Sequence, residues 1–79
     1  MKVAVQLFGP LAEQAGVSRL EVTVSGSTVA DVVAAAAVAA PALRIDRSVR
    51  FAVNTDYAEA SAPVREGDVV SLIPPVGGG

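Results

Sequence analysis

Val69 to Ile73 reads Val-Val-Ser-Leu-Ile, and Pro74-Pro75 cut it off. A run this apolar is expected to form a central strand, covered on both sides. The two prolines fix φ and remove two backbone donors, so neither a helix nor a central ladder continues past Ile73. A Pro-Pro pair favours an extended, semi-rigid path. Val76 and then Gly77, Gly78 and Gly79 follow. Nothing after Val76 has a side chain to pack, so this end is expected to stand free of the body, with the α-carboxylate of Gly79 at its tip. Terminal glycines are commonly no more than a frayed end. Here the order is buried strand, rigid exit and slender tip, which suits a tail threaded into a slot on another protein.

The remaining strands are read from alternation. Val3, Val5 and Leu7 fall on one face of the first segment, and Lys2, Ala4, Gln6 and Phe8 on the other. Phe8 is an aromatic on a polar face: it either folds back over the next loop or offers an anchor to a partner. Gly9-Pro10 ends that strand, and Pro10 suits the first position of a short helix through Ala15 that Gly16 stops. Leu20, Val22 and Val24 then alternate with Arg19, Glu21 and Thr23, so the first two strands are expected to pair as an antiparallel hairpin.

One long helix follows the turn Ser25-Gly26-Ser27. Thr28 is a good N-cap, and Asp31 three residues on makes a capping box and opposes the positive end of the helix dipole. Val29, Val32, Val33, Ala36 and Ala40 share the face expected to meet the sheet, and Pro41 ends or kinks the helix. The far face carries Ala34, Ala35 and Val38: it is either a general partner surface or, the favoured reading, harmless exposed alanine, the best helix former. Residues 42–47 read as a connector in which Leu43 and Ile45 are expected to be buried. Val49, Phe51 and Val53 alternate with Arg50 and Ala52 to give a third strand. Asn54-Thr55-Asp56 is a tight turn, with a short edge strand near Tyr57-Ala58. Pro63 to Glu66 is loop and Gly67-Asp68 a turn before the last strand. The order ββαβ(β)β with one long helix predicts an α+β domain. Its mixed sheet of four to five strands wraps on the helix, and the first and last strands lie side by side and parallel.

Composition narrows the chemistry. The 79 residues make one domain, and a chain this short buries only about 60% of the surface it exposes when unfolded. With no cysteine there is no disulfide, so a core built from the 52% of hydrophobic residues must hold the fold. No basic patch or aromatic ladder points to nucleic acid, and the net charge is −2. The apolar run from Val32 to Leu43 is too short to span a bilayer and contains Pro41. The first residues alternate at once instead of forming a signal-peptide block, so the expected location is cytoplasmic. With neither histidine nor cysteine, the chain lacks the usual general base, thiol nucleophile and soft metal ligand. It is not expected to be an enzyme on its own or to bind a metal or cofactor. If it takes part in chemistry, its own main-chain end is the group to react.

Several stretches together resemble a known family. They are Val5 to Glu13, Thr28-Val29-Ala30-Asp31, Ala52-Val53-Asn54, Glu66 to Val70, and Leu72 to Val76 with the glycines behind it. In this order they resemble the small subunits of molybdopterin synthase, sulfur carriers of the ubiquitin-like β-grasp fold, and the likeness covers essentially the whole chain. Two positions depart from the family pattern: Gly77 stands where a small polar residue is common, and Ala12 where a basic one is.

The resemblance implies a division into a β-grasp body, residues 1–75, and a reactive tail, residues 76–79, carrying Gly78 and Gly79. An α-carboxylic acid ionises at about pH 3.5, so at neutral pH it is a poor electrophile. In the family an ATP-dependent activating enzyme makes an acyl-adenylate at the last glycine, and sulfur from a donor displaces AMP to leave a thiocarboxylate. The large catalytic subunit of the synthase then uses that tail to deliver sulfur to a pyranopterin precursor. On this reading Phe8, Ile73, Pro74, Pro75, Val76 and Gly77 contact the partner. Three other readings remain open: a carrier supplying thiamine synthesis or another acceptor, a ubiquitin-like modifier joined to lysines through Gly79, and a plain interaction domain whose glycines are inert.

Overall fold

The structure is a computed structural model and describes residues 1–75. Its elements run β1 (Lys2–Leu7), α1 (Pro10–Ala15), β2 (Arg19–Thr23), α2 (Val29–Ala39), β3 (Arg50–Val53), β4 (Asp56–Ala58) and β5 (Val69–Ile73). They form one sheet in the order β2-β1-β5-β3-β4. β1 and β2 make the expected antiparallel hairpin, with Val3 opposite Val22 and Val5 opposite Leu20. β1 and β5 are adjacent and parallel, with Val5 opposite Val70 and Leu7 opposite Leu72. β3 lies antiparallel on the other side of β5, and β4 closes the edge. The segment holding α2 therefore carries the chain from β2 across β1 and β5 to β3.

Each helix is bounded as its residues dictate. α1 starts at Pro10, whose missing N–H is one the first turn has no use for, and stops at Gly16, which is left-handed at φ 78°. At α2 the three leading N–H groups would be orphans. Asp31 N–H donates to Thr28 Oγ1, Val29 N–H to Ala62 O and Ala30 N–H to Ala60 O. The Asp31 carboxylate in turn accepts from the backbone N–H of Ser27 and Thr28, completing the capping box. The helix ends at Ala39, with Ala40 as its C-cap, one residue before the break expected from Pro41.

The core lies between α2 and one face of the sheet. Val29, Val32 and Ala36 press onto Val3, Val5, Leu7, Val22, Val70 and Leu72, all buried. Burying one such Val or Leu side chain contributes about 1.5–3 kcal/mol. Leu11 from α1, with Val24, Val49 and Val64, closes the rim. Val33 and Ala40 sit at the margin of the α2 contact, and Leu43 and Ile45 are half-buried instead of buried.

One expectation fails. β5 is central but covered on one side only: Val70 and Leu72 are buried, while Val69, Ser71 and Ile73 are partly exposed. The single long helix covers one face, and nothing among the described residues covers the other.

The stretch Glu66-Gly67-Asp68 serves the fold. Glu66 Oε1 accepts from Lys2 N–H, Gly67 N–H donates to Lys2 O, and Asp68 Oδ2 accepts from Arg65 N–H. Asn54, left-handed at φ 55°, donates through Nδ2 to Asp68 Oδ1 and accepts at Oδ1 from Val69 N–H. Two motifs far apart in the chain thus meet and lock the start of β5, at the end away from the tail.

Candidate functional site

The uncovered face follows from the register. Residues paired across strands share a face. Ala4 pairs with Val69, Gln6 with Ser71, Ser71 with Ala52, Ala52 with Tyr57, and Ile73 with Arg50. None of these lies on the helix side, because Val5, Val70, Leu72 and Phe51 occupy that side. The open face is therefore mixed: Ala4, Val69, Ser71, Ala52 and Ile73 form a small and apolar stretch with Tyr57, 74% exposed, at one edge and with Gln6 and Arg50 on the same side. Ala52 is buried within this stretch because Ser71 and Tyr57 flank it in register.

At the end where β5 stops, four of the expected contact residues come together. Phe8 follows β1 and Ile73 ends β5, and alternation puts both on the open face. Phe8 is 44% exposed, so it presents its ring instead of burying it over the next loop. Gly9 turns the chain at φ 51°, and a Cβ built on it would lie 3.8 Å from Pro74 Cγ. The turn after β1 and the exit from β5 are thus neighbours, and Pro74 is half-buried there while Pro75 is exposed. Val76, Gly77, Gly78 and Gly79 lie outside the described residues.

Sequence reading missed Arg47, Ser48 and Arg50 at this end, and Tyr57 on the open face. A groove of about 500 Å³ runs beside Pro75, lined by Arg47, Ser48 and Arg50. Arg50 and Ile73 are partners in register, which brings the arginine to the tail root. Tyr57 reaches the open face only because β4 folds back on β3. No spacing in the sequence reports either proximity.

Electrostatics at the described acids is structural. Asp31 is held below the usual carboxylate range by its hydrogen bonds from Thr28 and Ser27, Asp46 by those from Ser48, and Asp68 by those from Arg65 and Asn54. Among the described residues no group of acidic side chains is arranged to hold a metal ion, and no helix is long and apolar enough to cross a membrane.

A mixed five-stranded sheet wrapped on one main helix, entered through a hairpin and left from a central strand, defines a ubiquitin-like β-grasp protein. Solved structures share this arrangement over nearly the whole chain. SAMP1 from Haloferax volcanii is 30% identical with a TM-score of 0.89, each chain covered in full. A candidate molybdopterin converting factor subunit 1 from Pyrococcus furiosus is 28% identical with a TM-score of 0.81, over 95% of this chain and 98% of its own. A chain in the complex of subunits 1 and 2 of the molybdopterin-converting factor from Helicobacter pylori is 27% identical with a TM-score of 0.72, both covered in full. The chain belongs to the ThiS family, which it matches over residues 5–79. It is a ubiquitin-like sulfur carrier of that family.

Proposed function

We propose that this chain is the sulfur-donating small subunit of a molybdopterin synthase, acting in the cytoplasm. The observation that carries the reading is the arrangement at the end of β5. A central strand delivers the chain to Pro74-Pro75 beside an exposed Phe8 and a partly exposed Ile73, and Val76 and three glycines follow. The likeness to molybdopterin converting factor subunits from two organisms supports the same acceptor. The Helicobacter pylori structure is a complex of two subunits, which makes a large catalytic subunit the natural partner for this chain as well.

The chemistry then runs on the tail. The Gly79 carboxylate attacks the α-phosphorus of ATP on an activating enzyme, and pyrophosphate leaves. A sulfur nucleophile attacks the resulting acyl-adenylate, AMP leaves, and the chain carries a thiocarboxylate. Glycine suits Gly78 and Gly79 because attack at the last carbonyl needs open approach and a Cβ would widen the tail. Ordering each tail residue in a slot costs about 1–2 kcal/mol. Pro74 and Pro75 lower that cost by presetting the exit direction, and Phe8 and Ile73 supply apolar contact from the body. The chain needs no resident cofactor; ATP belongs to the activating enzyme.

Mixing the thiocarboxylated chain with a large synthase subunit and the pyranopterin precursor tests this directly. Formation of the dithiolene product supports the reading; a stable carrier that never yields product with that subunit overturns it. The likeness to SAMP1 favours a second reading, a protein modifier. An isopeptide adduct between Gly79 and a lysine, found by peptide mass spectrometry, is its signature.

A further inference from the structure

The groove beside Pro75 is a strongly charged feature that the sulfur-transfer chemistry leaves unused. Three of the chain's six basic residues, Arg44, Arg47 and Arg50, fall between positions 44 and 50, on a chain whose net charge is −2. Arg47 and Arg50 line the groove with Ser48 and Pro75, and among the described residues no acidic side chain lines it. The only acid in that segment, Asp46, keeps its charge but does not line the groove; its carboxylate accepts from the N–H and Oγ of Ser48. Two guanidinium groups of one sign therefore flank the root of the tail.

We propose that Arg47 and Arg50 dock a carboxylate-bearing rim on the partner, at the mouth of the slot that takes the tail. The inference rests on the carrier reading above and names the chemistry of the partner surface. Charge complementarity selects an acidic surface, and continuity with Pro75 places it at the slot entrance. The nucleotide is a poor occupant. A slot that holds residues 76–79 extended would set the reacting carbonyl about 14 Å from Pro75, beyond the groove. A carrier visits an activating enzyme and then an acceptor, so it gains from fast encounter more than from long residence. Exposed charges supply that, because they act mainly on the association rate.

Stopped-flow association of the full chain with a large synthase subunit, across a salt series, tests the proposal. Arg47→Gln/Arg50→Gln is expected to slow association about tenfold at low salt and to flatten the salt dependence, with dissociation little changed. Circular dichroism of the same variant checks that the fold is intact, and Arg50→Lys, which keeps the charge, is expected to restore most of the rate when Arg47 is present. Unchanged association and salt slope in the double variant overturn the proposal while leaving the carrier reading in place. Inorganic phosphate that blocks association beyond a chloride control of equal ionic strength overturns it too, since the groove is then a phosphate site. No association by the unaltered chain overturns both readings.

Discussion

Gly26 shows how closely one residue ties the turn to the helix behind it. A Cβ built there would run into the Asp31 carboxylate and fall 2.8 Å from Asp31 Cβ. That carboxylate cannot swing away freely, because it holds the N–H groups of Ser27 and Thr28. Gly26→Ala is therefore expected to break the capping box and cost about 1 kcal/mol, read as a lower urea midpoint with an unchanged slope. The same acids set the response to pH. Asp31, Asp46 and Asp68 bind protons less readily when folded than when unfolded. Their contribution is fully present above the unfolded value, about pH 4, and is lost as pH falls through the lower folded values. Unfolding free energy should thus be level near neutrality and decline in acid, and Asp31→Asn should make that decline shallower.

Among the elements, the sheet divides its labour between its two ends. The start of β5 is locked by Asn54, Asp68 and Glu66, while its far end lies by Phe8, Gly9, Arg50 and Pro74. Phe8→Ala and Ile73→Ala should each weaken binding to a large synthase subunit about tenfold, measured by calorimetry, with little loss of stability because neither side chain is in the buried core. Unchanged affinity in both would mean that the open face does not dock. Much of this was legible beforehand. The capping box, the Gly16 stop, the β1–β2 hairpin and the β1–β5 parallel pair each follow from local residue chemistry or from which segments are most apolar. Phe8 and Ile73 were legible as an aromatic on a polar face and an apolar residue before the prolines. The one-sided cover of β5 was not, because Val69 and Ile73 read alike whether they meet a second layer or open surface. Arg47, Arg50 and Tyr57 were not either, since their places depend on long-range register.

Taken whole, the molecule is a small body of 79 residues with no histidine, no cysteine and a core of aliphatic side chains. On the proposed reading it offers a partner a partly apolar open face, two arginines and a main-chain end. The central claim is that the last carbonyl is the reacting group and the body addresses it. Intact-mass spectrometry after incubation with an activating enzyme, ATP and sulfide tests this most directly. The account predicts a gain equal to one oxygen replaced by sulfur, located at Gly79, and no gain in a variant with one residue added after Gly79 whose fold is unchanged. An unmodified mass in the native chain, or the same gain in the extended variant, would contradict it.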